Sequence, residues 1–298
     1  MVITGAGGQV GRFLAAEVAR RGGAVRALTS ADCDITDPAA VERVVESGDL
    51  VINCAAYTDV DAAEGDEATA YAVNVTGPGN IAQACARAGA EMIHISTDYV
   101  FSGSFAGATP RPYELDDDTG PLSVYGRTKL AGELAVLAAL PAPGQATVVR
   151  TCWVYTGGST DGDFVAVMRQ RAARGESVQV VADQVGSPTY VGDLVSALLQ
   201  VAGGDFMRGA TNRQPILHAA NDGTASRFDQ ARAVYAAVGA DPGLVRPVSS
   251  GDYPRPAARP LYSALGSRQS TAAGLTPLRP WRDALHAALS TGPLPSTP

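Results

Sequence analysis

The sequence predicts an α/β protein built on a doubly wound parallel sheet, with a smaller lobe towards the C-terminus. Three observations support this fold class. Short apolar segments alternate with amphipathic helical segments through the first half of the chain. A glycine-rich turn follows the first apolar segment, and less regular, proline-rich segments follow residue 238. Strands that alternate with helices run parallel, and their connecting helices cover both faces of the sheet.

Five strands are predicted in the N-terminal half, each a short apolar run, over residues 2–4, 25–28, 50–53, 92–96 and 147–151. Between them, apolar residues at helical spacing predict helices over residues 11–21, 38–46, 67–74, 80–88 and 122–140. Thr36 and Asp37 are favourable N-cap residues for the second helix. The run Gly77-Pro78-Gly79 is expected to separate the third helix from the fourth.

The second half of the chain adds the smaller lobe. Helices are predicted over residues 163–174, 192–201, 227–238 and 281–289, and strands over residues 178–181 and 216–220. We expect residues 1–151 to form the main domain, with residues 183–220 completing its sheet. Residues 152–182 and 221–298 then form the smaller lobe, which ends in a frayed tail. Glycine- and proline-rich loops are predicted over residues 102–121 and 157–162.

Composition and charge exclude several classes of function. The 298 residues are 46% apolar and 18% charged, which is typical of a globular protein with an ample core. A net charge of −7 provides no electrostatic footprint for nucleic acid or for an anionic membrane, and no apolar run is long enough to span a bilayer. The four cysteines and three histidines lack metal-ligand spacing, so we predict reduced core cysteines and no metal site.

The chain opens on a strand and a glycine turn, not on a basic segment followed by a long apolar stretch. We therefore expect no signal peptide and a cytoplasmic location. The opening strand is short, which leaves open whether native residues precede Met1.

Glycines at positions 5, 8 and 11 stand between the first strand and the first helix. Such glycines allow a tight turn, close approach of the backbone to a pyrophosphate, and packing of the helix on the strand. The phosphates then rest on the helix N-terminus, where free N–H groups favour negative charge. This pattern predicts a Rossmann-type dinucleotide site that contains Gly5, Gly8, Gln9, Val10, Gly11 and Arg12.

The choice of cofactor depends on the end of the second strand. NAD-selective folds carry an acidic residue there for the ribose hydroxyl, whereas residues 27–30 contain no carboxylate. Because Arg12 is close enough in sequence to approach a 2′-phosphate, we predict NADPH, with NADH as the alternative. Asp34 follows in a position suited to the adenine, and an ordinary loop carboxylate is the other interpretation.

Tyr125 and Lys129 lie four residues apart in a predicted helix, so both side chains can face one cleft. A tyrosine has a pKa of about 10, and a nearby cation lowers it towards the range useful for acid–base chemistry. The segment after the fourth strand adds a hydroxyl, from Ser96 or Thr97, that can polarise a carbonyl. These residues predict a carbonyl reductase centre at the carboxyl ends of the strands.

The motifs together resemble the extended short-chain dehydrogenase/reductases. They are the glycine loop, Asn53-Cys-Ala-Ala-Tyr-Thr58, Ser96-Thr-Asp-Tyr-Val-Phe101 and Tyr125-x-x-x-Lys129. Three downstream runs narrow the resemblance to the dTDP-4-dehydrorhamnose reductases: Arg150-Thr-Cys-Trp-Val-Tyr155, Asp183-Gln-Val-Gly-Ser-Pro-Thr189 and Arg259-Pro-Leu-Tyr-Ser-Ala-Leu265. The resemblance runs from residue 2 to about residue 290.

This resemblance implies an NADPH-dependent reduction of the C4 ketone of dTDP-4-dehydro-L-rhamnose to dTDP-L-rhamnose, the last step in making a polysaccharide precursor. The main domain would bind NADP and the smaller lobe would bind the substrate. Thr97 would hydrogen-bond the carbonyl oxygen, Tyr125 would deliver the proton, and Lys129 would hold the nicotinamide ribose and tune Tyr125.

The resemblance also implies contacts outside the reactive centre. Ala55, Ala56 and Thr58 would line the cofactor, and Asp34 and Ile35 would flank its adenine. Contacts to the dTDP-sugar would come from Asp98, Tyr99, Trp153, Gln184 and Arg259. Trp153 would form a wall of the sugar pocket, and Arg259 would bind the diphosphate. The alternatives are a core aromatic for Trp153 and a solvated surface arginine for Arg259.

Two other functions remain open at this point. One is a non-catalytic regulatory subunit like that of methionine adenosyltransferase, which resembles the same family. The other is a 4-ketosugar reductase that makes a different 6-deoxysugar. Some family members bind magnesium through a glutamate of the first helix, but Phe13 stands there, so no metal is carried over. The chain is expected to be a monomer or a homodimer.

Overall fold

Strands and helices alternate along the chain in this computed structural model, which describes residues 1–158, 161–203 and 214–290. In these residues the strands are β1 (Val2–Thr4), β2 (Arg26–Leu28), β3 (Leu50–Asn53), β4 (Glu91–Thr97), β5 (Ala146–Thr151), β6 (Val154–Tyr155), β7 (Val178–Val181), β8 (Val185–Gly186), β9 (Thr189–Tyr190), β10 (Ile216–His218), β11 (Asn221–Asp222), β12 (Ala225–Ser226), β13 (Val245–Val248) and β14 (Leu278–Pro280). The predicted frayed tail, residues 291–298, and residues 159–160 of the predicted loop 157–162 lie outside the described residues.

The α-helices of the same residues are α1 (Gln9–Arg20), α2 (Pro38–Glu42), α3 (Val60–Ala63), α4 (Glu67–Tyr71), α5 (Gly77–Ala88), α6 (Val124–Ala139), α7 (Phe164–Ala173), α8 (Val191–Ala202), α9 (Arg227–Ala237), α10 (Arg268–Ala272) and α11 (Trp281–Ser290). Helix α2 is shorter than predicted, and α3 was not predicted. Side chains of Asp37, Asp59 and Ser123 cap the N-termini of α2, α3 and α6.

Six of the strands form one parallel sheet in the order β10-β5-β4-β3-β1-β2. Alternate strand residues face opposite sides: Ile3 packs with α1 and α8, whereas Val2 packs with α2, α5 and α6. The predicted parallel sheet covered on both faces is therefore confirmed. The order reverses between β1 and β3, and ligands of such sheets bind outside the carboxyl ends at that point.

The remaining strands form two-stranded pairs beside the sheet. Strand β7 pairs with β13, which the sequence argument missed, and the other pairs are β6 with β9, β8 with β12, and β11 with β14. Helices α7, α9 and α11 and strand β7 enclose a separate core that includes Val165, Val234, Tyr235 and Trp281. The predicted domain boundaries, at residues 151, 182 and 220, stay a prediction.

The expected interruption at Gly77-Pro78-Gly79 is wrong. Residues Ala72–Thr76 form a π-helical turn that joins α4 directly to α5. Pro78 lies in the first turn of α5, where its missing N–H costs little. A Cβ on Gly77 would lie 2.4 Å from Cδ1 of Ile35, so this glycine lets the helix pack closely on the loop after β2.

Glycine also permits the close approach of α6, since a Cβ on Gly132 would lie 2.1 Å from the backbone oxygen of Asn74. Replacing Gly132 with alanine should therefore destabilise the fold by about 1–3 kcal/mol, because backbone atoms on both sides must shift. The matched control is Gly79→Ala, since its Cβ would lie an ordinary 3.8 Å from Ala135. That change should be neutral or stabilising by up to ~1 kcal/mol, because alanine is the better helix former.

Urea denaturation of both variants measures the difference directly. A Gly132→Ala variant as stable as Gly79→Ala would show that α6 can move away from the π-helical turn without loss.

Candidate active site

A cleft of about 780 Å³, here called the glycine-loop cleft, lies at the carboxyl ends of β1, β3, β4 and β5. Gly5 has a φ of +68°, and a Cβ there would lie 2.4 Å from the Ala55 nitrogen. A Cβ on Gly11 would lie 2.4 Å from the Gly5 oxygen. These two positions therefore require glycine. Helix α1 begins without a side-chain cap, so its first N–H groups are available to an anion.

Most of the residues predicted to bind the cofactor pyrophosphate and ribose lie in or behind the lining of the glycine-loop cleft. Those that line the glycine-loop cleft are Gly8, Gln9, Val10, Arg12, Ala56 and Thr58. Gly5, Gly11 and Ala55 lie behind this lining and shape it through the close contacts just described. The Arg12 guanidinium donates to Asp161 at 2.8 Å, and Gln9 donates to Asp163 at 3.2 Å. The loop that contains Asp161 therefore lies across the start of α1.

The loop after β2 contains a carboxylate close to the strand end, where the sequence predicted none. Asp32 accepts hydrogen bonds from Thr29, from N at 2.8 Å and from Oγ1 at 2.7 Å, so this strand end does carry a carboxylate. Asp34 accepts similar bonds from Thr36 and is exposed. The Ile35 side chain is buried in the core, which leaves only its backbone to meet a ligand. A preference for NADPH therefore cannot rest on the absence of a carboxylate here.

Thr97, Tyr125 and Lys129 all line the glycine-loop cleft. Tyr125 and Lys129 lie one turn apart on α6, and Thr97 ends β4. Lys129 is 2% exposed, and its ammonium donates to the Ile95 backbone oxygen at 2.7 Å. The Thr97 hydroxyl lies close enough to the Tyr125 phenol to influence its pKa. The residues that the sequence predicts for proton transfer are thus brought together at one point.

Burial dominates the electrostatics of this group. It lowers the pKa of Lys129 to about 8, and the charges of Glu133 and Cys54 oppose the change. It also raises the pKa of Tyr125, although Thr97 opposes the change, so the lowering expected from the sequence is wrong. Both effects follow from the cost of holding a charge away from water. At neutral pH, Tyr125 is therefore a proton donor beside a lysine that is still charged.

Two carboxylates fix the position of α6. Glu133, which is 1% exposed, accepts from Arg150 at 2.7 and 2.9 Å and from Ser96 at 2.5 Å. Glu64, from the segment after α3, accepts from the Val124 backbone nitrogen at 2.8 Å, at the start of the helix. The helix that carries Tyr125 is therefore anchored both at its first residue and at its middle.

A second cleft of about 820 Å³, here called the arginine cleft, adjoins the first. Five arginines line it, and no aspartate or glutamate is among the described residues of its lining. Most of its apolar lining comes from α7 and β7. Guanidinium groups match the geometry of phosphate oxygens, so this cleft suits a phosphorylated ligand with an apolar part.

Trp153 forms the wall between the two clefts. Its backbone has a φ of +47°, in the left-handed region that non-glycine residues rarely adopt. The guanidinium carbon of Arg227 lies 3.6 Å from the centroid of the indole. A Cβ on Gly186 would lie 2.5 Å from Cε2 of the same ring. Arg227 was missed by sequence reasoning, because nothing near it in the chain indicates that it stacks on Trp153.

The other residues predicted to bind the sugar nucleotide lie in both clefts. Asp98 lines the glycine-loop cleft, is 2% exposed, and accepts from Ser263 at 2.5 Å. Burial raises the pKa of Asp98. Tyr99, Gln184 and Arg259 line the arginine cleft. Arg259, predicted for the diphosphate, is paired with Asp61 through two hydrogen bonds of 2.8 and 2.9 Å.

Known proteins are similar to this chain in both sequence and fold. A family model described as the RmlD substrate binding domain matches residues 1–292. A dTDP-4-dehydrorhamnose reductase of Mycobacterium tuberculosis strain H37Rv is 63% identical over 290 residues, which span 97% of this chain and 92% of that protein. The chain belongs to the dTDP-4-dehydrorhamnose reductase family. The resemblance predicted from the motifs is thus confirmed.

Solved structures of the family agree with this assignment. The crystal structure of a dTDP-4-dehydrorhamnose reductase from Clostridium acetobutylicum matches with a TM-score of 0.87 and 35% identity, and the match covers 97% of both chains. A Bacillus anthracis dTDP-4-dehydrorhamnose reductase, solved in complex with NADP, matches with a TM-score of 0.85 and 33% identity over 96% of both chains. The predicted Rossmann-type fold class is therefore confirmed for this reductase-family chain.

No helix among the described residues is long and apolar enough to cross a membrane. Nor do these residues contain a group of three or more His, Cys, Asp or Glu that could hold a metal ion. The absence of a metal from this family member stays a prediction.

The contact of Trp153 with Gly186 is directly testable. Gly186→Ala should push the indole away from its position and expose it, because a Cβ cannot occupy space 2.5 Å from the ring. Tryptophan emission should move to longer wavelength, since the other tryptophan, Trp281, is 5% exposed and distant in sequence. Gly79→Ala is the control and should leave the spectrum unchanged. An unshifted spectrum for Gly186→Ala would contradict the packing described.

Proposed function

We propose that this chain reduces the C4 ketone of dTDP-4-dehydro-L-rhamnose to dTDP-L-rhamnose with NADPH, as the names of its relatives suggest. One observation carries the proposal: Thr97, Tyr125 and Lys129 lie in a glycine-loop cleft that adjoins an arginine cleft. The first cleft suits a dinucleotide, and the second suits a nucleoside diphosphate. A ketone attached to that diphosphate would lie where the clefts meet, beside Trp153.

The residues of the glycine-loop cleft fit NADPH. The pyrophosphate would rest on the N-terminus of α1, where Gly5 and Gly11 leave room for the backbone turn. Ala56 and Thr58 would line the cofactor, and Lys129 would hold the nicotinamide ribose. The cofactor supplies the hydride that reduces C4. NADH is the alternative, because Asp32 would favour a ribose hydroxyl over a phosphate if it turned away from Thr29.

Residues of the chain itself would bind the ketone and donate the proton. Thr97 would hydrogen-bond the C4 carbonyl oxygen, and Tyr125 would donate its phenolic proton to that oxygen as C4 gains the hydride. The C–O double bond becomes a single bond, and the product is an alcohol. The Lys129 ammonium would stabilise the resulting tyrosinate until a proton from water restores it. Burial of the group excludes competing solvent from the reacting atoms.

The arginine cleft would bind the rest of the substrate. Arg227 and Arg246 line it and form no ion pair in the part of the chain that the structure describes. Their charge is therefore available to a diphosphate. Trp153 would form the wall against the sugar ring, with Asp98, Tyr99 and Gln184 as polar contacts. A dTDP-sugar is thus the proposed partner, in the cytoplasm, for a monomer or homodimer.

Two alternatives differ from this proposal in chemistry. A regulatory subunit would not require Thr97, Tyr125 and Lys129 to converge, so the geometry favours an enzyme. A reductase that makes another 6-deoxysugar would use the same proton donor but would present the other face of the ketone. Product analysis by NMR distinguishes the C4 epimers.

Tyr125→Phe tests the mechanism. It removes the hydroxyl with little change of volume, so NADPH oxidation with the dTDP-4-ketosugar, followed by absorbance, should slow by at least ~10²-fold. NADPH affinity, measured by fluorescence titration, should change little. Near-wild-type turnover would exclude Tyr125 as the proton donor. No NADPH consumption by folded wild-type protein would instead favour the regulatory subunit.

The pKa of Lys129, about 8, predicts the pH dependence. The ammonium is present below this value and is lost as the pH rises through it, and Tyr125 is then a weaker acid. The kcat/KM for ketosugar reduction should therefore fall above about pH 8. The measurement is a profile of kcat/KM from pH 6 to about pH 10. A kcat/KM that stays level to pH 10 would show that the charge of Lys129 does not matter to the reaction.

A further inference from the structure

Asp61, which no motif singled out, has an unusually complete set of donors. It lies in α3, just beyond Thr58 of the glycine-loop cleft. Its two oxygens accept from Arg259 at 2.8 and 2.9 Å, from Arg255 at 3.3 Å and from the Ala257 nitrogen at 3.2 Å. All three partners belong to one loop of the smaller lobe, some 198 positions away in the case of Arg259. Asp61 therefore ties that loop to the sheet domain.

The donors of Arg259 are largely used inside the protein. Nη1 donates to Asp61 and to the Ala257 oxygen, and Nη2 donates to Asp61. Arg259 and Tyr99 both line the arginine cleft, close enough that the Arg259 charge opposes the rise in the pKa of Tyr99 that burial causes. The ring of Tyr99 packs edge-on against that of Tyr125, with centroids 5.6 Å apart and planes at 75°. A series of neighbouring residues thus runs from Asp61 through Arg259 and Tyr99 to the proton donor.

We propose that Asp61 is a positioning residue for the reaction: through Arg259 it holds the 255–259 loop and Tyr99 in the geometry that binds the nucleoside diphosphate-sugar beside Tyr125. This inference rests on the proposed function. It also reassigns Arg259, which acts here as a clamp between the two parts of the chain, while the diphosphate is left to Arg227 and Arg246.

Simple electrostatics suggests the opposite role. A carboxylate held by two arginines of an anion-binding cleft could be a competitor that the diphosphate displaces. Three features favour the clamp. Asp61 is partly buried and fully coordinated, its pKa is held at about 2 chiefly by Arg259, and two other arginines of the cleft have no carboxylate partner among the described residues. The ion pair therefore persists at every pH at which the enzyme would work, and the anion has other partners.

The test is Asp61→Asn, which keeps the shape of the side chain and removes its charge. Glu67→Gln, on the neighbouring helix α4, removes the same charge from an exposed position and is the matched control. The clamp predicts that Asp61→Asn raises KM for the dTDP-ketosugar by about tenfold and weakens binding of dTDP, measured by titration calorimetry, by a similar factor. KM for NADPH should stay unchanged, and Asp61→Glu should recover part of the loss.

A double-mutant cycle with Arg259→Lys gives a second measurement. If Asp61 acts through Arg259, the effects on dTDP affinity should be non-additive, and the double variant should bind about as weakly as the worse single variant. Additive effects would overturn the proposal. So would a lower KM or tighter dTDP binding in Asp61→Asn, since a competitor would behave that way. An Asp61→Asn variant equal to Glu67→Gln in both measurements would also overturn it.

These outcomes are separable from a failure of the proposed function. If wild-type protein does not oxidise NADPH with the ketosugar, the reductase assignment fails, whatever Asp61 does to dTDP binding. If wild-type protein turns over and Asp61→Asn matches its control, only the clamp fails. Thermal melting of each variant verifies that it is folded, and because Asp61 and Arg259 are both partly exposed, neither change leaves a charge fully buried.

Discussion

The reactive centre depends on the buried ion pair of Glu133 with Arg150. Glu133 joins helix α6 to the two central strands through Ser96 of β4 and Arg150 of β5. Removing one partner of such a buried pair typically costs about 3–5 kcal/mol, because the other charge is left without compensation. Tyr125 and Lys129 precede Glu133 by two turns and one turn on the same face. The anchor of the helix therefore also sets the register of the proton donor over the strand ends.

A second polar group fixes the strand ends themselves. Asn53 of β3 accepts from Thr4 of β1 at 2.7 Å and lies 3.0 Å from a ring nitrogen of His94 in β4. These side chains are buried, and burial lowers the pKa of His94, so the histidine is neutral at physiological pH. His94 therefore has a structural role, since it lies buried between the strands and is uncharged. These contacts fix the relative positions of β1, β3 and β4, whose carboxyl ends lead into the cleft.

The sequence predicted best what depends on local spacing. Tyr125 and Lys129 share a helix face by virtue of four residues, and Gly5 and Gly11 meet within one turn. It predicted poorly what depends on contacts between distant segments. The pairing of Asp61 with Arg259 and the stacking of Arg227 on Trp153 join residues that no periodicity relates. The break expected at Gly77 failed for a similar reason: its neighbour Ile35 is what requires a glycine, and the helix continues.

The wall formed by Trp153 has a consequence for how such a protein can diversify. Proton transfer depends on α6 and the ends of the sheet strands, whereas the arginine cleft is lined mainly by α7, β7 and the segment from Arg246 to Arg259. Substitutions in α7 and β7 can alter the size and charge of the nucleotide-sugar pocket without disturbing the acid–base group. Proton transfer and selection of the nucleotide-sugar thus depend on different segments of the chain. The two sets of segments meet at the indole ring of Trp153.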